Sequence, residues 1–468
     1  MLFNSLHYII FTIILFAIYT KLNPKYRKII LLLASFYFIS VWNTLNIFLL
    51  LFNSSLDYFI GCSIDKSQNP KKRKILILTS IILNLGLLVF FKYYNFFVNN
   101  FTGILNIFGV NIYLPYSDIL LPIGISFYTF QTMCYSIDIY RRKIPAVRSI
   151  TDYFLYVMFY PQLVAGPIMR PDQLLPQINN IHHTDLTKIN YDYYFCILMR
   201  GFAKKVLVAD NLSIFVDKMF ILNPQIDAFQ TIIGVICFAF QIYCDFSGYC
   251  DIALGTAGML GINLTVNFNF PYCSQSITEF WHRWHISLSQ WLRDYLYIPL
   301  GGSKKGTAKT YSNLFITMFL AGLWHGANWN FILWGVFIGI FLIIERLFKN
   351  SNFLFFKLPS IIKVTYCFIV INISWILFRG NSFSLIIDIF KRIIFNWQNI
   401  NFQNFTSAHK YLAVCVFIYF IHYSDFKLDL PRRFAKLNIF LQTFCYTILI
   451  GIIAYAYKQQ NAFIYFRF

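Results

Sequence analysis

Apolar residues run through this chain in long blocks, without the short alternation of a half-buried strand or the single stripe of a surface helix. The blocks are Ser5–Thr20, Ile29–Val41, Leu45–Ile60, Ile75–Phe91, Ile119–Ile137, Phe229–Tyr243, Leu314–Leu323, Phe331–Ile344, Val364–Phe378, Tyr411–Ile421 and Ile439–Tyr457. A bilayer core of ~30 Å takes about 20 apolar residues per spanning helix. Several blocks meet that length and the others come close. The pattern predicts an all-α, polytopic integral membrane protein with roughly 10–13 membrane segments. Short and re-entrant helices are expected among them, around a central polar tunnel. The first block has no basic residue before it and no small-residue cleavage site after it, so it reads as a retained helix and not as a signal peptide.

Composition strengthens this reading. Of 468 residues, 58% are hydrophobic and 12% are charged, against roughly 25% charged in an average soluble domain. The 39 Lys and Arg against 19 Asp and Glu give a formal charge of +20. That charge is scattered in short clusters between apolar runs, so the partner it implies is a lipid bilayer and not nucleic acid. The clusters Lys21–Lys28, Lys66–Lys74 and Arg141–Arg148 are each separated by two apolar blocks, the first two blocks joined by a tight turn near Trp42–Thr44. All three can then face the cytoplasm with Lys304–Lys309, and the N-terminus lies outside. The 10 Cys form no CxxC pair and read as small buried hydrophobes. No zinc spacing, P-loop, dinucleotide fingerprint or internal repeat is evident.

The texture changes between about Leu121 and Trp334, where Gly, Pro, His, Trp and charged residues enter apolar stretches. Such groups are expensive at membrane depth and mark cavities or pathways. From Thr278 to Pro299, Trp281, Trp284, Leu288, Trp291 and Leu292 recur at helical spacing, with His282, Arg283, His285, Arg293 and Asp294 interspersed. This predicts one amphipathic, Trp-rich helix that opens at Thr278, with Glu279 too early for a capping box, and ends at Pro299 and Gly301. Either it is an interfacial anchor or it borders a polar cavity with one His facing in. Farther on, His325 lies between two apolar segments beside Trp324. Gly322 and Gly326 bracket it and allow close approach of a backbone or a substrate. A neutral imidazole suits proton transfer near neutral pH, and Asn328 is placed to orient a reacting group. Asp245 stands in another polar interruption, Asp245-Phe-Ser-Gly-Tyr249.

Together these segments resemble the membrane-bound O-acyltransferase family. The similar branch holds alginate O-acetyltransferases, peptidoglycan O-acetyltransferases and the D-alanyl transferases of teichoic acid. The resemblance runs through Leu121-Pro-Ile-Gly-Ile-Ser-Phe-Tyr-Thr-Phe-Gln131, Pro161-Gln-Leu-Val-Ala-Gly-Pro-Ile168, Gly201-Phe-Ala-Lys-Lys-Val206 and Gln241-Ile-Tyr-Cys-Asp-Phe-Ser-Gly-Tyr-Cys-Asp251. It continues through the Trp-rich block to Gly302, Gly322-Leu-Trp-His-Gly-Ala327 and the C-terminal Phe463-Ile-Tyr-Phe-Arg-Phe468. It implies N-terminal transmembrane helices over 1–120, a catalytic core over 121–345 and C-terminal helices over 346–468. It places the catalytic His on His325, a second characteristic His on His285 and a transient acyl carrier on Tyr465. His282 stands where the family usually has Arg, and Arg467 where it usually has Gln. Asn328, Trp324, Asp245, Arg283 and Arg293 are candidates for the substrate or tunnel wall.

The implied chemistry is acyl transfer from cytosolic acetyl-CoA, with no metal, across the bacterial cytoplasmic (inner) membrane. Lys204, Lys205, Lys304 and Lys305 are candidate holders of the anionic donor, although a cytoplasmic marking role explains them equally well. The chain shows no long polar domain at either end, so a periplasmic SGNH-type O-acetyltransferase is the expected partner. Ile, Asn and Lys are abundant, as in AT-rich coding DNA, which favours peptidoglycan over alginate or another exopolysaccharide as the acceptor. The competing class is a polysaccharide or lipid transporter without acyl chemistry. It fits the many helices, but the absence of visible repeats and the clustering of motifs around two His weigh against it.

Overall fold

A computed structural model describes residues 1–41, 44–112, 114–116, 121–122, 124–164, 166–349, 358–399, 402–457 and 463–464. The expected turn at Trp42–Thr44 falls mostly outside them. Among the described residues every regular element is a helix. Helices α1 to α8 cover Leu6–Lys21, Arg27–Ser40, Thr44–Lys66, Pro70–Ile107, Ile125–Tyr140, Ile150–Met158, Tyr160–Leu163 and Pro171–Asn179. Helices α9 to α14 cover Tyr191–Phe202, Asp210–Met219, Ala228–Met259, Ile277–Arg283, Ile286–Leu292 and Thr307–His325. Helices α15 to α20 cover Trp329–Lys349, Ser360–Arg379, Phe383–Phe395, Phe402–Leu428, Leu430–Phe434 and Ile439–Ala456. Seven of them, α3, α4, α11, α15, α16, α18 and α20, are long and apolar enough to cross a membrane. The chain is a multi-pass membrane protein.

The chain divides into two compact units. One comprises Met1–Tyr191 with Thr256–Thr265. Its helices are joined by buried polar contacts, since apolar faces gain little by leaving lipid for each other. The Asp57 carboxylate accepts hydrogen bonds from the Ser80 hydroxyl (2.5 Å), the Asn84 amide (2.6 Å) and the Ser136 hydroxyl (3.2 Å), which ties α3, α4 and α5 together. Arg73 donates to the carbonyls of Ile64 (2.7 Å) and Tyr140 (2.7 Å), so one cation satisfies the C-terminal ends of two helices.

The other unit comprises Asp192–Gly255 and Val266–Phe468. Here small residues allow backbones to touch. A Cβ on Gly201 would lie 2.7 Å from the Gly248 carbonyl oxygen, and one on Gly255 2.7 Å from that of Tyr194, so α9 and α11 cross in direct contact. A π-helical turn at Ala203–Ala209 follows, carrying Lys204 and Lys205.

The expected single helix from Thr278 to Pro299 is instead two helices and a π-helical turn at Arg293–Tyr297. Its start also differs. Ser276, not Thr278, is the N-cap and accepts from the Glu279 amide at 3.0 Å, while the Glu279 carboxylate accepts from the Gln275 amide at 2.8 Å. Counted from Ser276, Glu279 occupies the third helical position, where a capping acid belongs.

Candidate active site

Helices α14 and α15 form a tight hairpin with His325 at its bend. A Cβ on Gly322 would lie 2.3 Å from the Phe331 carbonyl oxygen and 3.2 Å from Gly335 Cα. A Cβ on Gly326 would run into the Phe331 ring at 2.2 Å. The close approach that these glycines permit is therefore between the two helices themselves. His325 is the last residue of α14 and is buried in an aromatic box. Its ring meets Trp334 at 5.0 Å and 88°, Phe378 at 5.2 Å and 80°, and Trp324 at 5.1 Å and 76°. Asn330 reinforces the box by donating to the Phe378 carbonyl at 3.0 Å.

His285 stands at the break between α12 and α13, with φ 43° and ψ 54°. A left-handed conformation is uncommon for a residue with a Cβ and persists only where neighbours enforce it. Asn267 does so. Its carbonyl accepts from the Ile286 amide (3.0 Å) and its side-chain oxygen from the Ser287 amide (3.0 Å). The imidazole is buried edge-on to Phe246 at 4.7 Å and lies 6.1 Å from Trp324. Trp324 thus contacts both His rings. Burial pulls the His285 pKa down to about 3, so this ring is neutral at physiological pH.

The cavity here measures about 910 Å³, large enough for a sizeable ligand. His325, Trp281 and Trp334 are in its wall. The indole N–H groups of Trp281 and Trp334 have no acceptor among the described residues. Arg346 and Lys363 also line it, and neither is in an ion pair among the described residues. At ~1.5 Å per residue, Arg346 lies about 18 Å farther along α15 than Trp334. Lys363 lies about 22 Å along α16 from Phe378 on the same measure. The cavity therefore joins an aromatic imidazole site to a cationic region. Glu345, another wall residue, is buried and accepts from the amides of Ile277 (2.8 Å) and Thr278 (2.9 Å) and from the Thr278 hydroxyl (2.6 Å).

The other expected residues are distributed around this centre. Arg293 lines the cavity and pairs with Asp294 at 2.7 Å, and His282 lines it too. Arg283 is structural in its contacts, pairing with Glu279 (2.9 Å) and donating to the Asn269 carbonyl (3.1 Å). Asn328 is exposed just before α15 and does not line the cavity. Asp245 is buried away from the cavity wall and pairs with Lys205. Lys204 pairs with Asp251 at 2.7 Å, so the two lysines are committed to internal carboxylates. Tyr465 lies outside the described residues. Trp334, Glu345, Arg346 and Lys363 were not singled out by the sequence. The only sequence signal for the last three was charge at the edge of an apolar block, which marks most helix ends.

The model of the membrane-bound O-acyltransferase family matches residues 140–388. The chain is 42% identical over 380 residues to the probable alginate O-acetylase AlgI of Pseudomonas putida, covering 80% of this chain and 76% of that one. It is 41% identical over 383 residues to the same-named protein of Pseudomonas aeruginosa, covering 80% and 71%. With the peptidoglycan O-acetyltransferase of Helicobacter pylori it shares 34% identity over 397 residues, covering 80% and 74%.

Proposed function

This chain belongs to the membrane-bound O-acyltransferase family, and we propose that it passes acetyl from cytosolic acetyl-CoA across the bacterial cytoplasmic membrane for O-acetylation of an envelope polysaccharide. Membership makes it an acyltransferase; the donor, the direction and the acceptor are our reading. The observation that carries the reading is the cavity with His325 at one part of its wall and Arg346 and Lys363 about 18–22 Å along its helices. An extended pantetheine arm bridges such a span, with its thioester beside the imidazole and its phosphates beside the cations. Helix α14 runs from Thr307, within the basic stretch Lys304–Lys309, to His325, about 28 Å. The basic ends then face the cytoplasm and His325 lies toward the outer side.

In the proposed chemistry His325 acts as general base on an attacking hydroxyl. Tyr465 supplies that hydroxyl, since a phenol with a pKa of about 10 is easier to deprotonate than a sugar alcohol. The acyl C–S bond breaks, an aryl ester C–O bond forms, and the proton taken by His325 returns to the CoA thiolate. A hydroxyl of a periplasmic SGNH-type transferase then attacks the ester, and the Tyr465 phenol regains a proton. Two easier steps replace one transfer across the membrane. His285, neutral and buried against Trp324, orients that indole beside His325.

Peptidoglycan is the proposed acceptor. The higher identity to the alginate relatives, 42% against 34%, favours an exopolysaccharide as the second reading. Purified protein in liposomes given labelled acetyl-CoA tests the core of the proposal. Wild type should cleave the thioester, and His325→Ala should abolish cleavage while remaining folded. Retained cleavage in that variant would remove His325 from its role, and no cleavage by wild type would favour a transporter. Mass analysis of muropeptides and secreted polysaccharide from cells carrying each form then separates the two acceptors.

A further inference from the structure

Asp245 does its work at the end of the chain rather than in the cavity. Its carboxylate pairs with the ammonium of Lys205, which also reaches Asp210 at 3.0 Å. Both partners are almost wholly buried, with side-chain exposures of 1% for Lys205 and 3% for Asp245. The second carboxylate oxygen accepts a 2.6 Å hydrogen bond from the backbone amide of Ile464, more than two hundred positions along the chain. The Phe463 ring packs on Tyr249 at 4.7 Å and on Phe246 at 5.4 Å, and both Phe463 and Ile464 are buried. Phe246 is the ring that also meets His285 edge-on at 4.7 Å. Isolating two charges from solvent is costly unless each is paired and its remaining hydrogen-bonding capacity is used. Here the capacity left over on Asp245 is spent on the main chain of a terminal segment.

We propose that the Asp245–Lys205 pair is a socket for the C-terminal segment, and that docking of Phe463 and Ile464 in it is a working part of acyl transfer. The proposal rests on the acyl-relay reading only in what the docked segment is for, since Tyr465 follows Ile464 in the chain. The socket recognises a backbone N–H by charge and an aromatic side chain by the Phe246–Tyr249 cleft. Asp245 and Lys205 are thus positioning residues, acting on transfer through the segment they hold.

The test uses the full-length protein in detergent and in liposomes. Lys205→Met with Asp245→Leu removes the two most deeply buried charges together, and Asp210, which also loses the ammonium, is less deeply buried, with a side-chain exposure of 13%. Phe463→Ala leaves the ion pair intact and loosens only the docked segment. Either variant should make the C-terminal residues about tenfold or more faster to digest with carboxypeptidase, as local opening becomes cheaper. Acetyl transfer should fall in parallel, with the KM for acetyl-CoA unchanged because the donor cavity is untouched. Should the double variant fail to fold, Phe463→Ala decides alone. Unchanged digestion and unchanged transfer in a folded variant overturn the socket. Failure of wild type to cleave acetyl-CoA overturns the acyl-transfer reading instead, and leaves the digestion result to judge docking by itself.

Discussion

The Glu345 carboxylate, on α15, accepts both the backbone amide and the hydroxyl of Thr278, at 2.9 and 2.6 Å. With a third bond from the Ile277 amide at 2.8 Å, it closes the N-terminus of α12 from outside that helix. The α12–α13 segment therefore takes its position from α15, the helix that also carries Trp334 against His325. Glu345→Ala leaves buried amide groups unsatisfied and should cost about 1–3 kcal/mol. Thermal unfolding in detergent measures this directly. Glu345→Gln keeps one acceptor and should lose less than the alanine variant.

Arg346 and Lys363 make a separate prediction about the donor. If they hold its phosphates, replacing both with Ala should raise the KM for acetyl-CoA about tenfold or more, each lost charge-assisted bond weakening binding. The KM for acetyl-pantetheine, which lacks the phosphates, should not change. Wild type should accordingly prefer acetyl-CoA, and the variant should treat the two donors alike. Equal use of both by wild type would remove these residues from donor binding.

Much of the helical framework could be read from apolar blocks because helix length is set by bilayer thickness, and α1, α16 and α20 fall close to the blocks that announced them. The failures come where polar contacts decide. Between Ile277 and Tyr297 the Trp spacing fits a continuous helix, but Asn267, ten residues upstream of the segment, takes the Ile286 and Ser287 amides and breaks it at His285. Periodicity carries no record of such a distant brace. The site divides the same way. His325 stood out as a polar residue in an apolar run, whereas Glu345, Arg346 and Lys363 acquire meaning only through the cavity they line. Lys204 and Lys205 looked available in sequence because their carboxylate partners, Asp251 and Asp245, lie far along the chain.

The depressed pKa of His285 has a consequence for stability. Burial holds it at about 3 in the folded protein, while an unfolded imidazole titrates near its ordinary value of about 6.5. Between these values the unfolded chain binds a proton that the folded ring refuses. Stability should thus fall as pH drops from about 6.5, by up to about 1.4 kcal/mol per pH unit from this group, and gain nothing from it above that pH. In His285→Gln the dependence of unfolding free energy on pH over this range should be shallower by one proton. An unchanged slope would mean that the folded ring takes up a proton as readily as the unfolded one.

Trp334 offers the sharpest test of what the aromatic box does for catalysis. Its ring meets His325 edge-on at 5.0 Å, it lines the cavity, and its indole N–H finds no acceptor among the described residues. A thioester carbonyl seated beside His325 would give that donor a partner, and the bond would strengthen as negative charge builds on the oxygen. Trp334→Phe keeps an aromatic ring against the imidazole and removes the donor. Loss of a bond made mainly in the transition state should lower kcat by about 10- to 100-fold and leave KM within a few-fold of wild type. A rise in KM at constant kcat would instead assign Trp334 to ground-state packing of the acyl group. Trp334→Phe should also leave the pH profile of kcat/KM as in wild type, which separates charge stabilisation by the indole from proton transfer by His325.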